Sequence, residues 1–529
     1  MPSPALPKMP DIPLRRRRGA LPVLPAREGS NRALHGVAAT RELEATALAL
    51  EPGGALMHRA GRSVAQWALA LLPHARTWWI ASGPGGNGGD GAYAAAHLAR
   101  KGLDVSLTLY ADAARLPADA ARGLDTARQA GVVITPHPPF ARSVDAVIDA
   151  LLGIGASRPP SGALAEGLRA LGACAAPCLS VDLPSGLDAD SGRLLGEHAV
   201  TALATLSLLT LKPGLFTGVG RRHAGQVWFD ALGWEAPGAL EPTGPRATAF
   251  LLGADAMQPA WRRRTQDQHK GHFGDAVVIG GAPGMPGAAR LAAQAALAAG
   301  AGRTLLVVLD TAAPAGDPLR PELMYREATS LSDPSWLSKA SVICGCGGGS
   351  AVAGTLPAVL DGAGTLVLDA DALNAIAEQA ALQSMLARRA DKGRPTIMTP
   401  HPLEAARLLG RTVADIQADR LQAACDLSAR WRCTAVLKGS GTVISTPGMT
   451  PAINPTGGPS LATGGTGDVL AGWIGGLWAQ APRVWAEDPG TAHEVACASV
   501  WQHGLAAEQA FDGMPAARAL DLIEAMRRT

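Results

Sequence analysis

Trp78-Trp-Ile-Ala-Ser82 runs into Gly83-Pro-Gly-Gly-Asn-Gly-Gly-Asp-Gly91 and then into an alanine-rich stretch, Ala92 to Arg100. A short apolar run, a glycine turn and a helical pattern in that order predict one strand–loop–helix unit of a parallel sheet. The unit recurs on either side. Leu103–Tyr110, Val144–Leu151 and Cys178–Leu183 read as further strands, separated by helical runs. Beyond Trp234–Arg246, a stretch punctuated by Pro and Gly, a second series begins. Its strands are Ala276–Ile279, Thr304–Leu309, Ser341–Cys344, Thr365–Leu368, Thr396–Thr399 and Ala435–Leu437. No short period relates the series, so two different α/β domains are expected: residues 31–235 and 247–529, with a linker at 236–246 and a disordered tail at 1–30. The tail carries a basic run, Arg15 to Arg18, but the Ala-Leu-Pro-Val-Leu-Pro that follows is too short and too broken by Pro for an export signal. From Asn31 the pattern reads as helical.

Composition narrows the function classes. The 529 residues are 47% hydrophobic and 17% charged, with 47 basic against 45 acidic side chains, which excludes a disordered chain and a basic nucleic-acid binder. Only 4% are aromatic, so Ala, Leu, Val and Ile must build the core. The longest apolar window, Ala199–Leu211, falls short of a membrane span. Seven scattered Cys argue against a disulfide framework and for a reducing, cytoplasmic setting. No zinc spacing or heptad is present, and Cys344-x-Cys346 alone reads as structural.

Gly83, Gly85 and Gly88 meet the loose GxGxxG pattern, which permits close backbone approach to an anion at a helix start. Asp90 at that start would repel a pyrophosphate and could instead be a helix cap, while Asp112 near the next strand end could touch a ribose. Asp149 and Asp182 end two further strands, the latter before Pro184-Ser-Gly186. Because the C-terminal ends of parallel strands share one edge, Asn87, Asp90, Asp149, Asp182 and Ser185 can converge there, and their oxygens suit a hard cation.

In the second series the decisive segment is Asn454-Pro-Thr-Gly-Gly-Pro-Ser-Leu-Ala-Thr-Gly-Gly-Thr-Gly-Asp-Val-Leu-Ala-Gly472. Gly464, Gly465 and Gly467 free backbone N–H groups for an anion before an apolar helix expected from Asp468, and Asp468 can act as a base toward a hydroxyl beside phosphates. No Walker loop occurs. Lys438-Gly-Ser-Gly-Thr442, Thr399-Pro-His401-Pro-Leu-Glu404, Gly345-Cys-Gly-Gly-Gly349 and Asp369-Ala-Asp371 end four strands at the same edge.

The first series, over about residues 31–235, resembles the YjeF N-terminal family of NAD(P)H-hydrate epimerases through its GNGGDG, DALLGIG, VDLPSG and Lys212-Pro-Gly stretches. The resemblance implies a Rossmann-like parallel-sheet domain. It implies potassium at Asn87, Asp149 and Ser185, and the hydrated dinucleotide at Gly86, Asn87, Gly88, Gly89, Asp90, Gly153, Ile154, Gly155, Ala156, Ser157, Arg158, Pro159 and Asp182, with Asp182 and Lys212 catalytic. Gly86 stands where the family has Asn. The second series, over about residues 247–525, resembles the YjeF C-terminal family, ADP- or ATP-dependent NAD(P)H-hydrate dehydratases with a ribokinase-like α/β fold, through His269-Lys-Gly-His-Phe-Gly274, Gly284-Met-Pro-Gly-Ala-Ala289, LDADAL, TPHPLE, LKGSGT and ATGGTGDVLAG. It implies nucleotide contacts at Lys438, Gly439, Ser440, Gly441, Thr442 and Gly467, and substrate contacts at Ala288, Gly347, Gly349, His401 and Asp468, with Asp468 catalytic. Cys346 stands for the family's Pro, Leu403 for Gly and Gly458 for Asn.

The expectation is a bifunctional nicotinamide-repair enzyme, cytoplasmic and homo-oligomeric, acting on hydrated NADH or NADPH with ADP or ATP, K+ and Mg2+, and binding neither nucleic acid nor membrane. Two alternatives remain: a kinase of a small vitamin or sugar alcohol in the second half, and a noncatalytic binding module in the first.

Overall fold

Thr77–Ser82 shows why a parallel sheet forms here. Trp78 and Ile80 pack into one buried cluster and Trp79 and Ala81 into another, so both faces of the strand are covered. The computed structural model describes residues 21–22, 31–51, 53–139, 143–234, 247–257, 264–314 and 316–529. The first sheet has eight strands in the spatial order Leu21–Pro22, Gln226–Asp230, Ala204–Leu208, Cys178–Val181, Ala146–Ala150, Thr77–Ser82, Asp104–Leu109, Val133–Thr135, and only the Leu21–Pro22 pairing is antiparallel. The second has eleven: Met324–Arg326, Arg303–Val308, Asp275–Gly280, Ala340–Cys344, Thr365–Leu368, Thr396–Met398, Thr434–Leu437, Val443–Ser445, Ala452–Ile453, Ala249–Leu251, Arg32–Leu34. It is parallel from Met324–Arg326 as far as Thr434–Leu437, and antiparallel pairings appear only beyond that strand.

Each sheet is wound outward in one direction from an inner strand and then in the other. The chain leaves Thr77–Ser82 for Asp104–Leu109 and Val133–Thr135, then returns to Ala146–Ala150 on the opposite side. It likewise leaves Asp275–Gly280 for Arg303–Val308 and Met324–Arg326, then returns to Ala340–Cys344. Loops on either side of such a reversal point apart and leave a crevice at the strand ends.

Several expectations change. Asn31 opens no helix: Arg32–Leu34 is a strand, and helix Val37–Leu50 follows it. That strand pairs with Ala249–Leu251, so a piece of the first half completes the second sheet. Leu21–Pro22, inside the expected tail, pairs with Trp228–Phe229. The rest of the tail and the linker at 236–246 lie outside the described residues. The glycine-loop helix spans Gly86–Ala99, six residues earlier than expected, and the later one begins at Thr466. All seven Cys are free. Among the described residues no helix is long and apolar enough to cross a membrane.

Candidate functional site

At the first crevice, glycines let the backbone close up. A Cβ on Gly83 would run into the Leu151 carbonyl, and one on Gly88 into the Gly83 carbonyl. The tight turn sets Asn87 against the neighbouring loop, where its Nδ2 donates to Leu152 O at 2.9 Å. Its buried Oδ1 has no hydrogen-bond partner. Ser185 Oγ donates to Asp149 Oδ1 at 2.6 Å and accepts the Leu152 N–H at 2.9 Å, while Ser180 Oγ and Ser185 N donate to Asp149 Oδ2. Burial pushes the Asp149 carboxyl up from its ordinary value, and the hydrogen bonds from Ser185, Ser180 and Leu151 only partly offset it. An orphaned amide oxygen beside a buried carboxylate and a hydroxyl is a donor set that fits a hard monovalent cation.

A cavity of about 470 Å3 opens beside Asn87, while Asp149 and Ser185 are buried behind its wall and do not line it. Lys212 is fully buried beneath it: its Nζ donates to Asp182 Oδ1, to Leu208 O at 2.7 Å and to Thr210 O at 2.9 Å. Asp182 is held at φ 65°, a left-handed conformation that is costly for a residue with a side chain. Asp90 lies beyond the first turn of its helix and therefore does not cap it. Burial, and then the charges of Asp182 and Glu44, push its carboxyl well above the usual range. The shift favours the neutral carboxyl, which weakens the objection raised by its position in the glycine loop.

At the second crevice the groups come from four strand ends. Asp369 Oδ1 accepts from Lys438 Nζ at 2.7 Å and from Thr399 Oγ1 at 2.6 Å. Cys346, Asp369 and Asp468 bring their ligand atoms within 4.8 Å of one another. A Cβ on Gly467 would lie 3.6 Å from Lys438 Nζ, so the helix Thr466–Ala479 begins over that ammonium. Its N-cap is Gly465 at φ 93°, with no side-chain cap, so Asp468 is free of capping. Burial, then the charge of Asp369, push Asp468 up to about 6, against the pull of the Cys346 thiol and Lys438. Desolvation works against the Lys438 ammonium, but the charges of Asp369 and Glu404 together hold its pKa above the ordinary value. Gly347 at φ 57° puts a notional Cβ 2.7 Å from the Ala288 methyl, and Gly349 N donates to Asp371 at 2.8 Å, which places Ala288, Gly347 and Gly349 along the switch-point loops. His401 is the N-cap of helix Pro402–Leu409. Its Nδ1 accepts the N–H groups of Leu403 and Glu404, and Glu404 returns a bond to the His401 N–H at 2.8 Å. Burial and then Lys438 lower its pKa, which favours the neutral ring.

Comparison with known proteins agrees with two functional halves. Residues 53–214 match the family described as YjeF-related protein N-terminus, and residues 276–528 match NAD(P)H-hydrate dehydratase. The chain is 37% identical over 461 residues to the bifunctional NAD(P)H-hydrate repair enzyme of Escherichia coli K12, covering 86% of this chain and 84% of that protein. The chain belongs to the bifunctional NAD(P)H-hydrate repair enzymes. It is also 35% identical over 481 residues to the enzyme of that name from Coxiella burnetii, covering 89% and 93%. A solved ADP/ATP-dependent NAD(P)H-hydrate dehydratase from Bacillus subtilis, co-crystallized with ATP/Mg2+, is 28% identical over 52% of this chain and 93% of that one, with a TM-score of 0.40.

In this repair enzyme, Gly86, Asn87, Asp90, Asp182 and Lys212 line the first cavity, as do Gly153, Ile154, Gly155 and Ala156. Ser157, Arg158 and Pro159 do not line it, and Gly88 and Gly89 are spent on packing against Gly83 and Met57. Asp112 caps the short turn Ala113–Arg115 and does not line the cavity. Sequence reasoning missed Thr40, Arg41 and Glu44 on the cavity wall. They lie on a helix whose charges read as an ordinary solvated face, and no motif marks them. It also missed that Cys346 faces Asp468, although the departure from Pro at that position was a signal.

Proposed function

We propose that the first half interconverts the R and S forms of hydrated NAD(P)H, and that the second half dehydrates the S form at the expense of ADP or ATP. The observation that carries this reading is Asp468, uncapped at the start of its helix and beside the Lys438–Asp369 pair. In the second half, Asp468 takes the proton of the hydrate's hydroxyl as its oxygen attacks the terminal phosphorus of the nucleotide. Lys438, the Gly439–Thr442 turn and the N–H groups around Gly467 stabilise the charge on the transferring group. The phosphate ester then leaves as phosphate with loss of a proton from the adjacent ring carbon, restoring the double bond of NAD(P)H. Ala288, Gly347, Gly349 and His401 would lie against the nicotinamide half of the substrate.

Asn87, Asp149 and Ser185 would hold potassium in the first half, where it supplies fixed positive charge beside the dinucleotide. Asp182 and Lys212, a buried ion pair facing the cavity, would move the proton of epimerisation. A resident magnesium cage does not fit the second half. Among the described residues its one candidate cluster includes the Cys346 thiol, and a hard ion wants oxygen alone. Magnesium would enter with the nucleotide's phosphates. The test is to add the protein to acid-hydrated NADH with ADP or ATP and follow the return of the reduced ring's near-ultraviolet absorbance. No recovery with either nucleotide, together with phosphorylation of another alcohol, would overturn the reading in favour of a vitamin or sugar kinase.

A further inference from the structure

The chain just beyond the turn that carries Lys212 touches the loop assigned to the nucleotide in the other half. Lys212 leads into the short 3-10 turn Pro213–Leu215, and the residues that follow touch the second half before the chain returns to the first sheet at Gln226–Asp230. Thr217, fully buried, donates through Oγ1 to Gly441 O at 3.2 Å, and Gly218 N donates to Ser440 O at 3.0 Å. Four residues from Thr217, an Arg221 guanidinium nitrogen donates to Pro455 O at 2.6 Å and Gly457 O at 2.7 Å. Gly457 N in turn donates to Glu508 at 2.9 Å. Gly441 is at φ 61°, and a Cβ there would run into the Phe216 carbonyl. The loop is also gripped from its own domain: Arg420 donates to Leu437 O at 3.0 Å and Lys438 O at 3.1 Å.

These contacts set the direction of the loop's N–H groups. In a trans peptide the C=O and the following N–H point opposite ways. With the carbonyls of Ser440 and Gly441 turned to Thr217 and Gly218, the N–H groups of Gly441 and Thr442 are turned away from the first half. Left without those donors, two peptide units beside a φ 61° glycine could rotate, and the anion-binding face would be one of several states.

We propose that Thr217 and Gly218 of the first half are positioning residues for the nucleotide site of the second, so that nucleotide affinity in dehydration depends on the epimerase half. This rests on the assignment of Lys438–Thr442 to the nucleotide. The test uses the full chain and magnesium complexes of ADP and ATP. Thr217→Val keeps the shape and removes the donor, and Thr217→Ser keeps the hydroxyl. Thr217→Val should raise the nucleotide KM by about two- to twelve-fold, the span expected for one lost hydrogen bond. The KM for (S)-NADH-hydrate and the rate of epimerisation should stay as they were, and Thr217→Ser should restore the nucleotide KM. An unchanged nucleotide KM, or equal rises for both substrates, would overturn the proposal. If Thr217→Val does not fold, Thr217→Ala, which also removes the donor, decides by the same readouts. Thr442→Val, inside the loop, separates the two assignments. If Thr442→Val raises the nucleotide KM and Thr217→Val does not, the positioning role fails alone. If neither does, the loop assignment fails.

Discussion

Asp468 can serve as a base because its surroundings disfavour its charge without pairing it. Burial and Asp369 raise it to about 6, close to working pH, whereas an exposed Asp would be too weak a base. As the proposed base Asp468 acts in its carboxylate form, so dehydration should climb with pH through about 6 and level off above it, measured as kcat/KM for the S-hydrate. Asp468→Asn keeps the shape and cannot take the proton. Dehydration should fall at least about 100-fold and lose that pH limb, while epimerisation continues. The sign for stability is opposite. A native pKa above the unfolded one means that folding binds a proton, so Asp468 weakens the native state as pH rises through the interval to about 6. The Asn variant should therefore melt no lower than the parent at neutral pH. A near-normal rate in a well-folded Asp468→Asn protein would end the assignment of the base. Asp149 is raised by burial too, and a neighbouring cation would favour its charged form. Asp149→Ala should remove the potassium dependence of epimerisation and lower its rate by about tenfold or more, with dehydration of pure S-hydrate retained. Equal loss of both activities in folded protein would refute separate sites.

Helices in this chain begin inside stretches that read as loops, and the reason is tertiary. Glycine costs a helix roughly 0.5–1 kcal/mol per residue relative to Ala, so Gly86–Gly91 looks unhelical on propensity. Packing overrides it: Gly61 lies so close to Tyr93 and Gly91 to Ala150 that no side chain fits. The long inner strands were legible because both faces are apolar. Val133–Thr135, Val443–Ser445 and Ala249–Leu251 were not, since three residues carry no period. The candidate site was legible where its residues sit in a glycine motif, as with Asn87 or Asp468, and illegible for Glu44, whose place on the cavity wall depends on where its helix docks. Gly472 tests the packing argument. On propensity Gly472→Ala should stabilise the helix Thr466–Ala479, yet the added Cβ would run into the Ala292 carbonyl of helix Pro286–Ala299. Overpacking typically costs about 1–3 kcal/mol, which outweighs the propensity gain. Denaturant unfolding should show a net loss of about 1–2 kcal/mol. Dehydration should suffer with it, because Asp468 lies one turn away on the same helix, and epimerisation should not.

At the scale of the molecule, the order of the two halves was readable from their motifs, but their interlocking was not. Arg32–Leu34 belongs by sequence to the first half and by hydrogen bonding to the second sheet, where it pairs with Ala249–Leu251. Leu34, Leu211, Leu215 and Phe216 share one buried cluster with Leu251, Leu437 and Ile453, so the division drawn at 236–246 crosses a continuous apolar core. His35 N donates to Leu211 O at 2.8 Å and Gly36 N to Thr248 Oγ1 at 2.9 Å, which ties the same strand to both halves. Such pairing over three residues has no local signature; it depends on where both partners end up. Its consequence is measurable. A protease site introduced between residues 236 and 246 should allow the backbone to be cut while the two pieces stay together on a sizing column, with both activities retained. A chain beginning at residue 247 lacks the Arg32–Leu34 strand and the donors to Ser440, Gly441, Pro455 and Gly457, and exposes the apolar surface that Leu34, Leu215 and Phe216 cover. It should be less stable and need more nucleotide for half-maximal dehydration than the cut but intact pair. Separation of the cut pieces without denaturant, or equal behaviour of the shortened chain and the cut pair, would show that the two halves are independent after all.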